Sequence, residues 1–249
     1  MKPLLLGILQ GLTEFLPVSS SGHLVVFETI LKFNRPGIAF EVMLHLATAL
    51  AIVLYFRGEL LTVLKSWRYI VAIIVGSVPA GVVGILFKDS IDQLFNGLDF
   101  VEIAFLVNGA ILILGWRFRR KERRELNYLT AFLIGVAQAI AIFPGISRSG
   151  ATITMGIILG LSLEDAFKFS FFLSLPAILG ASLLEMTEMK ELMLSSSEFF
   201  GFLSAFVFGL AALAMLRRSL LKGKICVFGY YTIILALLLI IIDKGICLV

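Results

Sequence analysis

The chain has 249 residues, 59% hydrophobic and only 15% charged, with a mean hydropathy of +1.03. A soluble domain is roughly half apolar and about a quarter charged, so the composition excludes a soluble globule and leaves no room for a large soluble domain beside several membrane helices. The net charge of +4 is spread over short loops between apolar runs, which suits membrane orientation and not a nucleic-acid face; no nucleic-acid partner is expected.

The first apolar segment is interrupted. It runs over 3–16, stops at Pro17, passes through Val18-Ser19-Ser20-Ser21-Gly22 and resumes over 23–33. Proline donates no backbone hydrogen bond and disfavours helical geometry in the residue before it. Each half falls short of the ~20 residues that cross hydrocarbon. The pattern predicts a re-entrant helical hairpin, whose irregular backbone needs protein or a polar cavity around it. A cleaved signal peptide over residues 1–22 is the competing reading. Gln10 and Glu14 interrupt its apolar stretch, and no small-residue cleavage site follows.

Runs 38–56, 69–87 and 100–116 predict three spanning helices, followed by a basic loop from Arg117 to Arg124. The second interrupted segment runs over 128–143, stops at Pro144-Gly145, passes through Ile146-Ser147-Arg148-Ser149 and resumes over 150–161. It predicts a second re-entrant hairpin. Runs 164–184, 199–216 and 225–242 predict three more spans, and the stretch 186–198, with Glu185, Glu188, Glu191 and Glu198, reads as a solvated outer loop. Cys226 and Cys247 bracket one apolar run, 21 residues apart if counted along a helix. That separates them by about 30 Å, beyond disulfide reach. The fold class expected is an all-α integral membrane protein with six spanning helices plus two re-entrant hairpins.

The two interrupted segments share a skeleton. Gly7, Gln10, Phe15, Ser19, Ser21 and Gly22 coincide without a gap with Gly135, Gln138, Phe143, Ser147, Ser149 and Gly150. Glu14, Ser20 and His23 face Ile142, Arg148 and Ala151. The likeness continues in Ala39-Phe40 against Ala166-Phe167, and in Gly76, Ala80 and Gly84 against Gly201, Ala205 and Gly209. Small residues every four positions let membrane helices approach closely. The chain then reads as a single membrane domain, 1–249, with repeat halves of about 1–120 and 125–249. Three spans per half is odd, so the second half is inserted upside down, an inverted-topology repeat. Thirteen basic residues, from Arg57, Lys65 and Arg68 to Lys222 and Lys224, fall on one side; six, Lys2, Lys32, Arg35, Lys88, Lys190 and Lys244, fall on the other. The richer side is cytoplasmic, which places both termini outside.

A shared scaffold with divided chemistry points to one site built from both halves. Gln10 and Glu14 lie on one helix face. An ionisable group at membrane depth is costly and usually functional, although Glu14 and Arg148 could pair for packing alone. Each serine-rich turn sits where a half-helix begins, a place whose free N–H groups and positive dipole suit phosphate. Ser19 and Ser147 could equally cap those helices. Arg148 offers a planar bidentate donor for phosphate. Ser20 as nucleophile, Glu14 and His23 as proton handlers and Arg148 as charge clamp make the parts of a phosphoryl-transfer site. In a bilayer such a site fits a phosphorylated lipid. Glu41 and His45 form another pair four residues apart, lining the cavity or pairing near the outer surface.

The segment Gln10-Gly-Leu-Thr-Glu14-Phe-Leu-Pro17-Val-Ser-Ser-Ser-Gly-His23 resembles the first signature of the undecaprenyl-pyrophosphate phosphatases, the bacitracin-resistance protein family. Pro144-Gly145-Ile146-Ser147-Arg148-Ser149-Gly150-Ala151-Thr152 is similar to that family's second signature. The resemblance implies an enzyme of the bacterial plasma (inner) membrane that hydrolyses undecaprenyl pyrophosphate to undecaprenyl phosphate, recycling the cell-wall lipid carrier. It also implies stimulation by a divalent cation, Mg or Ca, with Glu14 as the candidate ligand; a neutral Gln10, where the family also uses Glu, weakens a two-carboxylate metal site. Catalytic roles fall to Glu14, Ser20, His23 and Arg148, and diphosphate contacts to Gln10, Ser19, Ser21, Ser147, Ser149 and Thr152. The nucleophile stays open between Ser20, His23 and water, and the oligomeric state stays open, a homodimer included. A polyprenyl-phosphate transporter or flippase is the alternative function, since inverted repeats with broken helices also build transporters.

Overall fold

The structure, a computed structural model, describes residues 2–30, 38–120, 123–188 and 196–246, and among them the regular structure is entirely helical. The expectations for Lys32, Arg35, Lys121, Lys190, Glu191 and Cys247 fall outside the described residues.

The first broken segment is α1 (Lys2–Phe15) and α2 (Ser20–Ile30). At 14 residues α1 is about 21 Å long, too short to cross hydrocarbon alone. Helix α2 starts at Ser20 and not at residue 23 as the hydropathy suggested, because Ser19 precedes it as a cap: its hydroxyl accepts from the Gly22 N–H (3.3 Å). Ser19 has φ 67°, a left-handed conformation uncommon outside glycine. The second broken segment is α8 (Tyr128–Ile140) and α9 (Arg148–Ile158). Helix α8 ends at Ile140, short of the expected 143. Helix α9 begins at Arg148, not 150, because Ser147 caps it by accepting from the Gly150 N–H (3.2 Å).

Between them lie α3 (Ile38–Tyr55), α4 (Arg57–Lys65), α5 (Trp67–Leu86), α6 (Lys88–Gln93), a 3-10 turn over Leu94–Asn96 and α7 (Leu98–Arg117). After α9 come α10 (Leu163–Glu188), α11 (Ser196–Leu221) and α12 (Cys226–Ile246). Among the described residues, five helices are long and apolar enough to cross a membrane: α5, α7, α10, α11 and α12. The first expected span differs from the others. Residues 39–55 run into α4 through a bend of 84°, and only this pair taken together makes a sixth. Helix α4 has no buried residue and carries Leu61 and Leu64 exposed beside Arg57 and Lys65. That mix suits a helix lying at the membrane surface, which an apolar run of 18 or more does not reveal. Exposed Ile74, Val82, Ile85, Ile234, Leu238 and Ile241 on α5 and α12 are what a chain surrounded by hydrocarbon requires. The chain is a multi-pass membrane protein.

The expected outer loop is also shorter than its composition suggested: α10 continues to Glu188 and α11 takes in Glu198, so Glu185 is helical.

The halves cross reciprocally. Helix α1 of the first packs on α11 of the second, and α8 of the second packs on α5 of the first. At each crossing a glycine carries the contact. A Cβ on Gly7 would fall on the Gly201 carbonyl, and a Cβ on Gly135 on the Gly76 carbonyl. Gly7 pairs with Gly135 in the repeat, and Gly201 with Gly76. Helices α7 and α12 cross each other at Gly109 and Gly229 in the same close manner. Beside these crossings Phe15, Phe56, Phe167, Phe171 and Phe172 form the aromatic centre of the core, with Phe15 edge-on to Phe171 at 5.5 Å.

A Gly135→Val substitution places a branched side chain where only backbone fits. It is expected to lower stability by about 1–3 kcal/mol or more, seen as a fall in the unfolding midpoint. Gly81→Ala, on the same helix as Gly76 with nothing within 4 Å of the added Cβ, is expected to leave the midpoint unchanged or raise it.

Candidate active site

The two broken segments bring their turns together. The Ser19 hydroxyl also accepts from the Gly145 N–H (3.2 Å). A Cβ on Gly22 would lie 2.9 Å from the Gly145 Cα, and one on Gly150 3.2 Å from the Pro17 Cβ. The starts of α2 and α9 therefore lie side by side. The N–H groups of a helix's first residues lack partners inside the helix, so Ser20, Ser21, Arg148 and Ser149 stand at paired electropositive helix ends.

Glu14, in the last turn of α1, is where the side chains converge. Its Oε2 accepts from the Ser20 hydroxyl (2.8 Å) and from the Gln10 amide (3.0 Å). Its Oε1 accepts from Arg148 Nη2 across the two halves. Arg148 also directs Nη1 at the Ser174 carbonyl of α10 (3.4 Å). The Glu14 side chain is 6% exposed and that of Arg148 19%. The carboxylate is thus held, while part of the guanidinium remains open. Glu14, Ser19, Ser20, Ser21, Ser147 and Arg148 line a cavity of about 610 Å³ bounded by α5, α8 and α10. His45 lines it too, with Nδ1 3.3 Å from the Gln10 amide nitrogen, the cavity position that one of the two readings expects. Glu185, expected in a solvated loop, lines the same cavity.

Four expected site residues stand outside the lining. Gln10 lies behind Glu14 and is 1% exposed. His23 is buried, with Nδ1 2.7 Å from the Ser19 carbonyl and Nε2 2.8 Å from the Tyr231 hydroxyl of α12. A carbonyl only accepts, so Nδ1 carries the proton and Nε2 accepts from Tyr231 in the neutral ring. The Ser149 hydroxyl donates to the Phe15 carbonyl (2.8 Å). That of Thr152 donates to the Arg148 carbonyl (2.8 Å) and meets Ser170 of α10 at 2.6 Å. These groups hold the turns and the start of α9 in place.

Nothing in the spacing of residues points to Asn108. This fully buried residue of α7 donates from Nδ2 to the Pro17 carbonyl (3.0 Å) and accepts at Oδ1 from the Ser147 N–H (2.9 Å). One side chain thereby ties the first turn to the second.

A divalent cation finds a poor donor set here. No group of three His, Cys, Asp or Glu side chains able to hold a metal occurs among the described residues. Glu14 stands beside Ser20 with both oxygens engaged. These residues do not by themselves fit a resident metal.

The family model described as bacitracin resistance protein BacA matches residues 3–238 of the chain. The undecaprenyl-diphosphatase of Methanococcus vannielii is 39% identical over 251 residues, covering 96% of this chain and 99% of the relative. That of Methanosphaera stadtmanae is 35% identical over 270 residues, with 98% of each covered. That of Thermotoga petrophila is 42% identical over 237 residues, covering 94% and 97%.

Asn108→Ala leaves the Pro17 carbonyl and the Ser147 N–H unpaired in the interior. The cost is about 1–3 kcal/mol for each group. The unfolding midpoint is expected to fall, and turnover with it as the turns lose register; a variant matching the parent in both would remove Asn108 from this role.

Proposed function

The chain belongs to the bacitracin resistance protein BacA family, and on that premise we propose that it removes the terminal phosphate of undecaprenyl diphosphate, releasing undecaprenyl phosphate and inorganic phosphate and so returning the lipid carrier to cell-wall synthesis. The observation that carries this reading is the contact of the Ser20 hydroxyl with Glu14 at 2.8 Å, beside Arg148, on the wall of a membrane-embedded cavity. A nucleophile within hydrogen-bond reach of a base, itself held by a third group, is the usual arrangement for covalent catalysis. A carrier that only moved the lipid would need the charge clamp but no such pair.

The chemistry follows from these contacts. Glu14 Oε2 takes the Ser20 proton as Oγ attacks the terminal phosphorus. The bond from that phosphorus to the bridging oxygen breaks, and undecaprenyl phosphate leaves with the bridging oxygen, which takes the proton from Glu14 and so frees the carboxylate for the second step. Water then attacks the phosphoserine, giving a proton to Glu14, and inorganic phosphate departs as Ser20 recovers its proton. Arg148 stabilises charge on the equatorial oxygens with the donors it does not spend on Glu14. The helix starts at Ser20 and Arg148 add N–H groups for the same oxygens. His23, outside the cavity lining, holds the Ser19 carbonyl and so the direction of Ser20. A Mg or Ca ion, for which these side chains alone offer too few ligands, would have to come with the substrate and would supply charge neutralisation to its phosphates.

The loop charges support a plasma (inner) membrane orientation with both termini outside. The reciprocal glycine crossings support repeat halves of about 1–120 and 125–249 inserted in opposite senses, with the broken helices as re-entrant hairpins.

Phosphate release from undecaprenyl diphosphate by the purified protein tests the reading. Ser20→Ala is expected to abolish turnover while lipid binding survives. His23→Ala is expected to impair turnover and leave measurable activity. Arg148→Lys keeps the charge but loses the planar fork, with an expected loss of about 10²–10³ in turnover. Full activity of Ser20→Ala, or a phosphohistidine trapped on His23, would overturn the assignment of the nucleophile.

A further inference from the structure

Gln10 and Gln138 hold the same place in the two copies of the broken segment, yet only one has partners. The Gln10 amide serves Glu14 (3.0 Å) and His45 (3.3 Å). In the second copy Ile142 stands at the Glu14 place. In the register that aligns Ala39-Phe40 with Ala166-Phe167, Phe172 stands at the His45 place. Neither side chain accepts a hydrogen bond. Gln138 is 2% exposed and lines the cavity, and neither its Nε2 nor its Oε1 has a hydrogen-bond partner among the described residues.

Native proteins satisfy nearly all buried polar side-chain atoms, so an orphan needs a reason. Here both ends of one carboxamide are orphaned in the wall of a substrate cavity. A bound water would itself need two to four polar partners. Ala141 and Ile142, the next cavity residues along the chain, provide no side-chain donor or acceptor, and the Ser77 hydroxyl, whose proton goes to the Ile73 carbonyl (2.8 Å), has only its acceptor side left. The partner fitting this position is one that arrives with the substrate.

We propose that the Gln138 carboxamide binds the phosphate that stays on the lipid, donating from Nε2 to one of its nonbridging oxygens. This rests on the phosphatase reading. Ser20, Glu14 and Arg148 form the reacting end, which holds the phosphate that is removed, and Gln138 bonds to none of them. Its helix instead meets α5 at Gly135 and Gly76. There Ala80 and Gly81, with Ala177 and Gly180 of α10, give the cavity a small-residue apolar side, suited to the prenyl chain. A phosphate attached to that chain lies between the two environments. A neutral amide orients this group without adding charge that would retain the product.

The test uses the purified full-length protein and two variants. Gln138→Leu keeps the volume and removes hydrogen bonding, whereas Gln138→Glu places a carboxylate against the phosphate. Because the amide is unpaired without substrate, the unfolding midpoint of Gln138→Leu is expected to equal or exceed the parent's. KM for undecaprenyl diphosphate is expected to rise about ten- to hundredfold, the loss of one hydrogen bond to a charged group, with Gln138→Glu affected more. Inhibition by undecaprenyl phosphate should weaken in parallel, while inhibition by inorganic phosphate stays unchanged. A KM and an undecaprenyl-phosphate inhibition like the parent's would overturn the proposal. So would equal weakening for inorganic phosphate, or a lowered midpoint with KM intact. If the parent itself releases no phosphate, it is the phosphatase reading that fails, before any variant is compared.

Discussion

The ion pair between Glu14 and Arg148 is the contact on which this architecture turns. It joins the end of one broken helix to the start of another from the opposite half of the chain. Either charge alone at membrane depth would be costly. Removing one partner of a fully buried pair costs about 3–5 kcal/mol; the cost is smaller here because the Arg148 side chain is 19% exposed. The pair fixes where the helices must break. Were α1 to continue past Phe15, or α9 to begin several residues later, carboxylate and guanidinium would not meet. Pro17 and the caps Ser19 and Ser147 set those ends, Asn108 ties the turns, and the glycine crossings bring the helices close enough for the contact to form.

Divergence between the two copies converts a symmetric scaffold into an asymmetric site. The first keeps the carboxylate and the nucleophile candidate, and the second has exchanged them for Ile142 and Arg148. Isoleucine at the Glu14 place leaves Glu14 without a carboxylate counterpart in the second copy, and arginine at the Ser20 place supplies the opposite charge. What remains symmetric is structural: the helix caps and the glycines at the crossings. Polar groups buried by that symmetry have partners where the chemistry was kept, as at Gln10, and lack them at Gln138 where it was exchanged.

Much of this was legible in the sequence because membrane physics leaves few options. Apolar runs of fixed length, Pro17 and Pro144, and the gap-free repeat identified the spans, the breaks and the encounter of Glu14 with Arg148. Hydropathy could not show that the first span turns by 84° into α4, since the turn at Phe56 contains neither Pro nor Gly. Nor could it show that α10 carries Glu185 onto the cavity wall, because a charged residue at the end of an apolar run reads as loop. Asn108 was invisible for a related reason: one amide in an apolar run has no spacing to betray its partners, which come from residues 91 and 39 positions away. The partner of His23, Tyr231, is 208 residues distant.

A double-mutant cycle on Glu14→Gln and Arg148→Gln tests the central claim that the two halves make one site. The readout is unfolding free energy, which does not require activity. If the two side chains compensate each other, each single variant strands the other's charge, and the double variant is more stable than the summed losses predict by about 1–3 kcal/mol. Losses that simply add would contradict the account and place Glu14 and Arg148 in separate environments.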